Sequence, residues 1–366
     1  MNKKNRNGLI PMPYWLLAIT YSLIISNPAK SQDLRFSQFY ETPLLLNPAL
    51  CGSFKGGMQG ELDYRNQWSS VAGNGGFNTM SAAFELHNME THWASGYLAP
   101  GISFYNDRAG SASIGTTGAA FTLASGVYLG ETSCLSVGLQ AGYAQYSVNA
   151  AALQWGSQYL NGEFDPTAAT GEPSFRSASS YADFSAGISY SYGSEQTANT
   201  ISDGGMKANF GLAIFHVNEP TVSYFTQSNS GTKLYMRNVV HGMISRRIRD
   251  SKISLVPAIV IYLQGPVTEA DLGLKLRYAL SAKARITQFN ANCNLDLGAY
   301  LRLNDAVILL AGIQYNSYSM GISYDLNISQ LSSATYGKGA FELTLKFLNL
   351  NGLKSSDSQN HSALQE

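Results

Sequence analysis

The chain has 366 residues with 24 basic and 24 acidic side chains, so its formal net charge is zero, which does not suit a basic nucleic-acid binder. Only 13% of it is charged, against roughly 25% in an average soluble domain. Gly (35), Tyr (22) and Phe (16) are abundant and Pro (11) is scarce, and the mean hydropathy near zero says that apolar residues are dispersed, a profile that suits many strands.

The N-terminus reads as an export signal over residues 1–31. Lys3, Lys4 and Arg6 form a positive start, Trp15 to Ile25 an apolar core, and Ala29-Lys30-Ser31 a small-x-small cleavage site before Gln32. The competing reading is an uncleaved anchor, but the apolar run is about half the ~20 residues a span needs. Residues 1–31 hold four of the 24 basic residues and none of the 24 acidic ones, leaving a mature chain near −4. No later run approaches ~18 apolar residues, so no transmembrane helix is predicted; a closed barrel is the other way through a membrane. The odd cysteine count (Cys51, Cys134, Cys293) argues against a disulfide framework.

Residues 32–56 precede any clear strand. Pro43 and Pro48 argue against both a helix and a central strand, so an extended lead-in is expected, either a plug or a periplasmic segment. Its Leu44, Leu45, Leu46, Ala49 and Leu50 need burial.

From Gly57 onward apolar and polar residues alternate, the signature of half-buried strands. Fourteen strands are predicted: 57–68, 77–87, 96–106, 113–129, 132–147, 180–193, 206–217, 233–248, 252–264, 268–279, 291–303, 306–315, 318–328 and 338–347. They make one domain, 57–347, followed by a polar tail, 348–366. In one strand Phe184, Ala186, Ile188, Tyr190 and Tyr192 share a face. In another Leu295, Leu297, Ala299, Leu301 and Leu303 do. Near the C-terminus Met320, Ile322, Tyr324, Leu326 and Ile328 form one apolar row, and Phe341, Leu343, Leu345 and Phe347 the next. Soluble strands usually run about 5–6 residues, whereas membrane-crossing ones need ~9–11. The fold expected is therefore all-β, a transmembrane outer-membrane barrel of about 14 antiparallel strands. Polar rows of Ser, Gly, Asn, Asp, Lys and Arg suit a wet interior. Trp68, Phe77, Tyr97, Tyr105, Tyr128, Tyr278 and Phe347, near strand ends, suit interface girdles. The soluble alternative, an adhesin or a pair of sandwiches, wants shorter strands and more surface charge.

An even strand number puts both termini on one side, the periplasm in outer-membrane barrels. The long links near 148–179 and 218–232 are then extracellular. The basic link with Arg246, Arg247, Arg249 and Lys252 is periplasmic and reads as a solvated turn or as a site for an acidic partner or lipid head groups.

No catalytic, metal or cofactor pattern stands out. His87 and His92 lack zinc-site spacing, and His216, His241 and His361 are scattered. Asp107, Arg108 and Asp183 read as polar-face residues. No G-x-S-x-G occurs. Glycine clusters at strand ends read as turns.

Phe36-Ser37-Gln38-Phe39-Tyr40, Leu46-Asn47-Pro48-Ala49, Tyr64-Arg65-Asn66-Gln67-Trp68, Phe210 to Pro220, the Tyr-x-Arg-x-x-Asp pattern within Gly298 to Asp305, and Ser319 to Phe347 together resemble, in order, the PorP/SprF family of Bacteroidetes. The resemblance implies a non-enzymatic outer-membrane barrel of type IX secretion and gliding motility. Its implied partners are a secreted surface protein carrying a type IX C-terminal domain and, in the periplasm, a lipoprotein or secretion-machinery components. Outer-membrane lipid would surround it, and no nucleic acid is expected. The motif residues carried over are Asn47, Pro48, Tyr64, Arg65, Asn66, Gln67 and Trp68, in structural or partner-binding roles. Arg65 and Gln67 belong to a polar face, and Tyr64, Asn66 and Trp68 to the opposite one. Cys51 departs from the small or apolar residue the family usually has there, which leaves open a reactive thiol. The alternative function is a porin or solute channel; a barrel protease or lipase would depend on a strand-end histidine.

Overall fold

A computed structural model of the chain describes residues 33–54, 56–69, 76–87, 89–90, 96–160, 162–171, 177–193, 205–223, 232–280, 282–283, 290–291, 293–330 and 332–349. The predicted export signal, residues 350–366 of the predicted tail, His92 and His361 lie outside the described residues.

Fourteen long strands follow the chain: β1 (Met58–Gln67), β2 (Phe77–Leu86), β3 (Gly96–Ala109), β4 (Ile114–Tyr128), β5 (Ser133–Ser147), β6 (Ala178–Tyr192), β7 (Met206–Phe215), β8 (Arg237–Arg247), β9 (Ile253–Gln264), β10 (Val267–Ala279), β11 (Cys293–Arg302), β12 (Ala306–Tyr315), β13 (Tyr318–Asn327) and β14 (Lys338–Asn349). Each pairs antiparallel with the next, and β1 pairs with β14 from Met58↔Asn349 to Gln67↔Ala340, which closes the sheet. Closure gives every strand two partners and leaves no edge, the condition for a sheet in lipid. All fourteen predicted strands are present, thirteen of them with shifted ends and Ala306–Tyr315 with the predicted ones. β8 begins at Arg237 because Thr232–Lys233 pairs instead with Thr221–Val222. β14 takes the first two residues of the predicted tail, since Met58 needs Asn349 as its partner.

The predicted apolar rows point outward. Phe184, Ile188, Leu297, Met320, Ile322, Phe341 and Leu345 are all exposed. In water such a wall would aggregate; a bilayer is its solvent. The polar rows point inward and are buried, among them Glu61, Asp63, Arg65, Glu85, Asp271, Arg302, Asp325 and Glu342. Three of the tyrosines assigned to girdles point inward as well. Tyr97 is buried, and Tyr97, Tyr105 and Tyr128 lie on inward positions because the facing wall has room: a Cβ at Gly126 would collide with the Tyr97 ring, and one at Gly118 with the Tyr105 ring. Tyr278 and Phe347 do face outward.

Both ends of the barrel strands meet at one rim, where Gly57 N donates to Asn349 O at 3.0 Å. We call this the terminal rim. The opposite, loop rim carries the link between β5 and β6, with a small hairpin of Tyr159–Leu160 and Glu163–Phe164, and the link between β7 and β8 with its own hairpin. In the first of these links the Thr167 amide and hydroxyl donate to Asp165 at 2.8 and 2.6 Å and hold its carboxyl below the usual range.

Candidate functional site in the barrel lumen

Residues 34–54 run through the barrel interior from the loop rim to the terminal rim, where they lead into β1. They are not extended. Phe39–Glu41 and Pro48–Leu50 are 3-10 turns, and Pro43–Leu46 is one α-helical turn. Each proline opens a turn, the one helical position at which its missing N–H costs nothing. The apolar residues that needed burial find it here. Phe39, Leu46 and Leu50 pack with Phe215, Val239, Val260, Tyr300 and Ile308 of the wall. Leu44 and Cys51 pack with Tyr97, Ala99, Ala124 and Cys134. The wet interior expected from the polar rows is, among the described residues, an interior occupied by the chain's own segment.

Near the loop rim the segment is fastened by charge. The Ser37 hydroxyl donates to Asp325 Oδ1 and Oδ2 (2.8 and 2.9 Å) and accepts from Arg302 Nη2 (3.0 Å) and from Arg65 Nη1. That is one donor and two acceptor sites, the full capacity of a hydroxyl. Arg65 bridges Asp325 Oδ2 at 2.9 Å and Glu342 Oε2 at 3.0 Å. Arg302 also meets Asp325 Oδ2 at 3.0 Å and, through Nε, Asp271 Oδ1 at 3.3 Å. Glu342 accepts from two backbone amides of the segment, Ser37 N at 2.7 Å and Gln38 N at 2.8 Å. Beside this cluster Arg35 pairs with Glu269 and lies over the Tyr262 ring, and Arg237 stacks on Phe215 while reaching Leu34 O (3.5 Å) and Leu45 O (3.3 Å). Buried ions are tolerated only when paired and hydrogen-bonded, and the two guanidinium forks supply both.

Deeper in, Glu41 meets Lys346 at 3.0 Å and Lys275 at 3.5 Å, and Lys275 continues to Asp296 at 3.4 Å. Asn47 is fully buried. Its Nδ2 lies 3.1 Å from Ile188 O, 3.3 Å from Leu212 O and 3.0 Å from His241 Nε2, while its Oδ1 accepts from Ala49 N at 2.9 Å and caps the Pro48 turn. The wall is hollowed to receive it: a Cβ at Gly187 or Gly211 would overlap the Asn47 amide, and one at Gly138 would overlap Pro48. Toward the terminal rim, Gln140 donates to Leu44 O (3.3 Å), Ser136 to Ala49 O (2.8 Å), and Gly52 N to Glu85 (2.9 Å).

The seven motif residues therefore divide. Asn47 and Pro48 belong to the lumen segment, and Arg65 grips it from the wall. Tyr64 and Asn66 face outward and both donate to Asn78 Oδ1, at 3.2 and 2.6 Å. Gln67 ends β1, and Trp68 follows it with φ 59°, its ring edge-on to Phe77 at 5.2 Å. Cys51 is fully buried with its sulfur 3.4 Å from Ala99 O, which removes it from reagents in water and overturns the reactive-thiol expectation. His216 pairs with Asp183 at 2.9 Å. The sequence singles out none of Ser37, His241, Lys275, Arg302, Asp325, Glu342 and Lys346 as a site residue, although Ser37, Arg302, Asp325, Glu342 and Lys346 lie within the family-like stretches. The inward phase of those on strands is legible from the alternation; their partners are not. Among the described residues no group of His, Cys, Asp and Glu is arranged to hold a metal.

A family model described as type IX secretion system membrane protein PorP/SprF matches residues 29–347. No curated protein matches the sequence. Among solved structures the chain is similar to the monoaromatic hydrocarbon channel CymD, at 10% identity and TM-score 0.43, over 84% of this chain and 93% of that one. It is similar to the beta domain of the Bordetella autotransporter BrkA at 12% identity and TM-score 0.38, over 80% of this chain and 99% of that one. It is also similar to CdiB from Acinetobacter baumannii at 7% identity and TM-score 0.38, over 79% of this chain but only 60% of CdiB.

Proposed function

The chain belongs to the PorP/SprF family of type IX secretion membrane proteins, and from that premise we propose that this outer-membrane barrel is a non-enzymatic binding protein that helps export a secreted surface protein or hold it at the cell. The loop rim, with its two long links, faces outward and receives the partner's C-terminal domain. The terminal rim faces the periplasm and docks to a lipoprotein or to the secretion machinery. Residues 1–31 direct export.

One observation carries the reading: the lumen is occupied by residues 34–54, fastened through Ser37 to Arg65, Arg302, Asp325 and Glu342. A solute channel needs a continuous wet path, and this interior supports a rigid scaffold instead. Asn47, Pro48 and Arg65 then act by holding that segment, which sets the shape of the loop rim. Gln67 and Trp68 stand at that rim, within reach of a partner.

The test is affinity purification of the tagged protein from native membranes with mass spectrometry, alongside conductance of the purified barrel in planar bilayers. Co-purification of a secreted protein with a type IX C-terminal domain, or of secretion components, and a closed barrel are expected. A conducting barrel that captures neither overturns the reading in favour of a porin.

A further inference from the structure

We propose that the terminal rim of β7, β8 and β9 carries a binding site for anionic phospholipid headgroups, formed by Arg246, Arg249 and Lys252. The proposal rests on the barrel lying in a membrane and is independent of what the loop rim binds.

Arg246 is the last outward position of β8. Register places it between Met206 of β7 and Leu255 of β9, both outward and exposed apolar side chains. The outward row that it ends is apolar, with Val240 and Ile244 before it and exposed Ile248 just after. Arg246 is exposed, and no ion pair to it exists among the described residues. The turn that follows is held by its own hydrogen bonds. Ile248 N donates to Ile253 O (2.9 Å), Ser251 N to Ile248 O (3.1 Å), Ile253 N to Ser251 Oγ (3.1 Å), and Arg247 Nε to Ser251 O (3.0 Å). Arg247 is thus spent on the turn, while Arg249 and Lys252 stand exposed upon it. Asp250 is the acidic residue of the turn, and its contact with Arg249 is 4.0 Å with both side chains more than 80% exposed (89% and 83%), a geometry that neutralises little. Lys207, the second residue of β7, pairs with Ser245 on the inward face and does not belong to this outward site; Glu195 and Asp203 of the adjoining link lie outside the described residues.

An arginine at the boundary of a lipid-facing wall lays its stem along the apolar surface and carries its charge to the headgroups. Its planar fork then matches a phosphate in two hydrogen bonds. Direction decides between a lipid and an acidic protein. A protein docking on the rim approaches along the barrel axis and meets the turn end-on, whereas Arg246 points sideways between Met206 and Leu255, where only the surrounding leaflet can reach it. Lys252 and Arg249 then extend the same positive field below the guanidinium.

The experiment uses the full-length protein purified from membranes, delipidated in mild detergent and offered equal amounts of phosphatidylglycerol and phosphatidylcholine, with bound lipid counted by native mass spectrometry. Each basic side chain near an anionic surface contributes about a fivefold preference. The wild type should therefore retain phosphatidylglycerol preferentially, and Arg246→Gln/Arg249→Gln/Lys252→Gln should lose that preference by up to roughly a hundredfold. Arg246→Lys/Arg249→Lys, which keeps the charge, should retain most of it. Heat-modifiable migration on gels checks that each variant is a folded barrel. Equal retention of the two lipids by the wild type, or an unchanged preference in the triple variant, overturns the proposal. So does loss of an acidic protein from the native-membrane purification while the lipid preference is unaltered.

Discussion

Replacing Arg65 by Met tests whether the lumen segment is held by the charge cluster or merely packed around it. Arg65 meets Asp325 at 2.9 Å and Glu342 at 3.0 Å, and Glu342 in turn accepts from Ser37 N and Gln38 N. Methionine keeps most of the stem's volume and removes the charge. Asp325 still has Arg302 at 3.0 Å, but Glu342 is left buried without a cation. Breaking a buried pair by removing one partner costs about 3–5 kcal/mol. At 1.36 kcal/mol per decade this is a factor from about a hundred to a few thousand. The barrel wall has its own ladders, so the loss falls on local opening of residues 34–41. Amide hydrogen exchange reads it: protection at Ser37 and Gln38 should drop by that factor, while Ala49, whose amide is capped by Asn47 at 2.9 Å, stays within about threefold of wild type. Such a split is what independent local opening predicts. Unchanged protection at Ser37 and Gln38 would refute the latch. A uniform loss along residues 34–54 would refute its locality.

The remaining expectations concern the segment, its cradle and the wall. Asn47→Ala removes a cap, about 1 kcal/mol, and strips a partner from His241 and two carbonyls at about 1–3 kcal/mol for a buried group left unpaired; a loss of roughly 2–4 kcal/mol should appear in denaturant unfolding. Gly187→Ala puts a Cβ where the Asn47 amide sits and should cost about 1–3 kcal/mol by overpacking, measured the same way, whereas a substitution at Gly130, whose Cβ would meet nothing but whose φ is positive, should spare the lumen segment's exchange pattern. Single-cysteine versions carrying Cys51 or Cys134, both buried, should react with a water-soluble maleimide only after denaturation. Leu297→Arg, on an outward position that is 63% exposed, should destabilise the barrel by about 2–4 kcal/mol in bilayers; a neutral result would mean that this face does not meet lipid.

The strands were legible because their signal is local. A period of two needs only the neighbouring residues, and it survives errors at the ends, so Phe184 to Tyr192 and Met320 to Ile328 already had their outward faces and even the strand number. The girdle residues show where this stops. Tyr97 and Tyr278 look alike as aromatics near strand ends, yet Tyr97 turns inward over Gly126 on β4, a pairing no nearby residue announces. The prolines misled for the same reason: Pro43 and Pro48 do forbid a long helix or a central strand, but they allow single turns once Asn47 and the lumen wall supply the caps and burial.

By itself, the sequence determined an all-β chain whose alternating rows require lipid on one side, and its motifs pointed to a family. Tertiary structure alone decided what fills the barrel. Ser37 meets Glu342 across 305 residues of chain, and Asn47 meets His241 across 194. Which inward side chain faces which depends on closure of the sheet and on its register, set by hydrogen bonds between strands that no single stretch of sequence contains. Only after β1 pairs with β14 do Arg65 and Glu342 become cross-strand neighbours. Ser37 completes that cluster, and the polar row read as lining for water becomes the lock on the lumen segment.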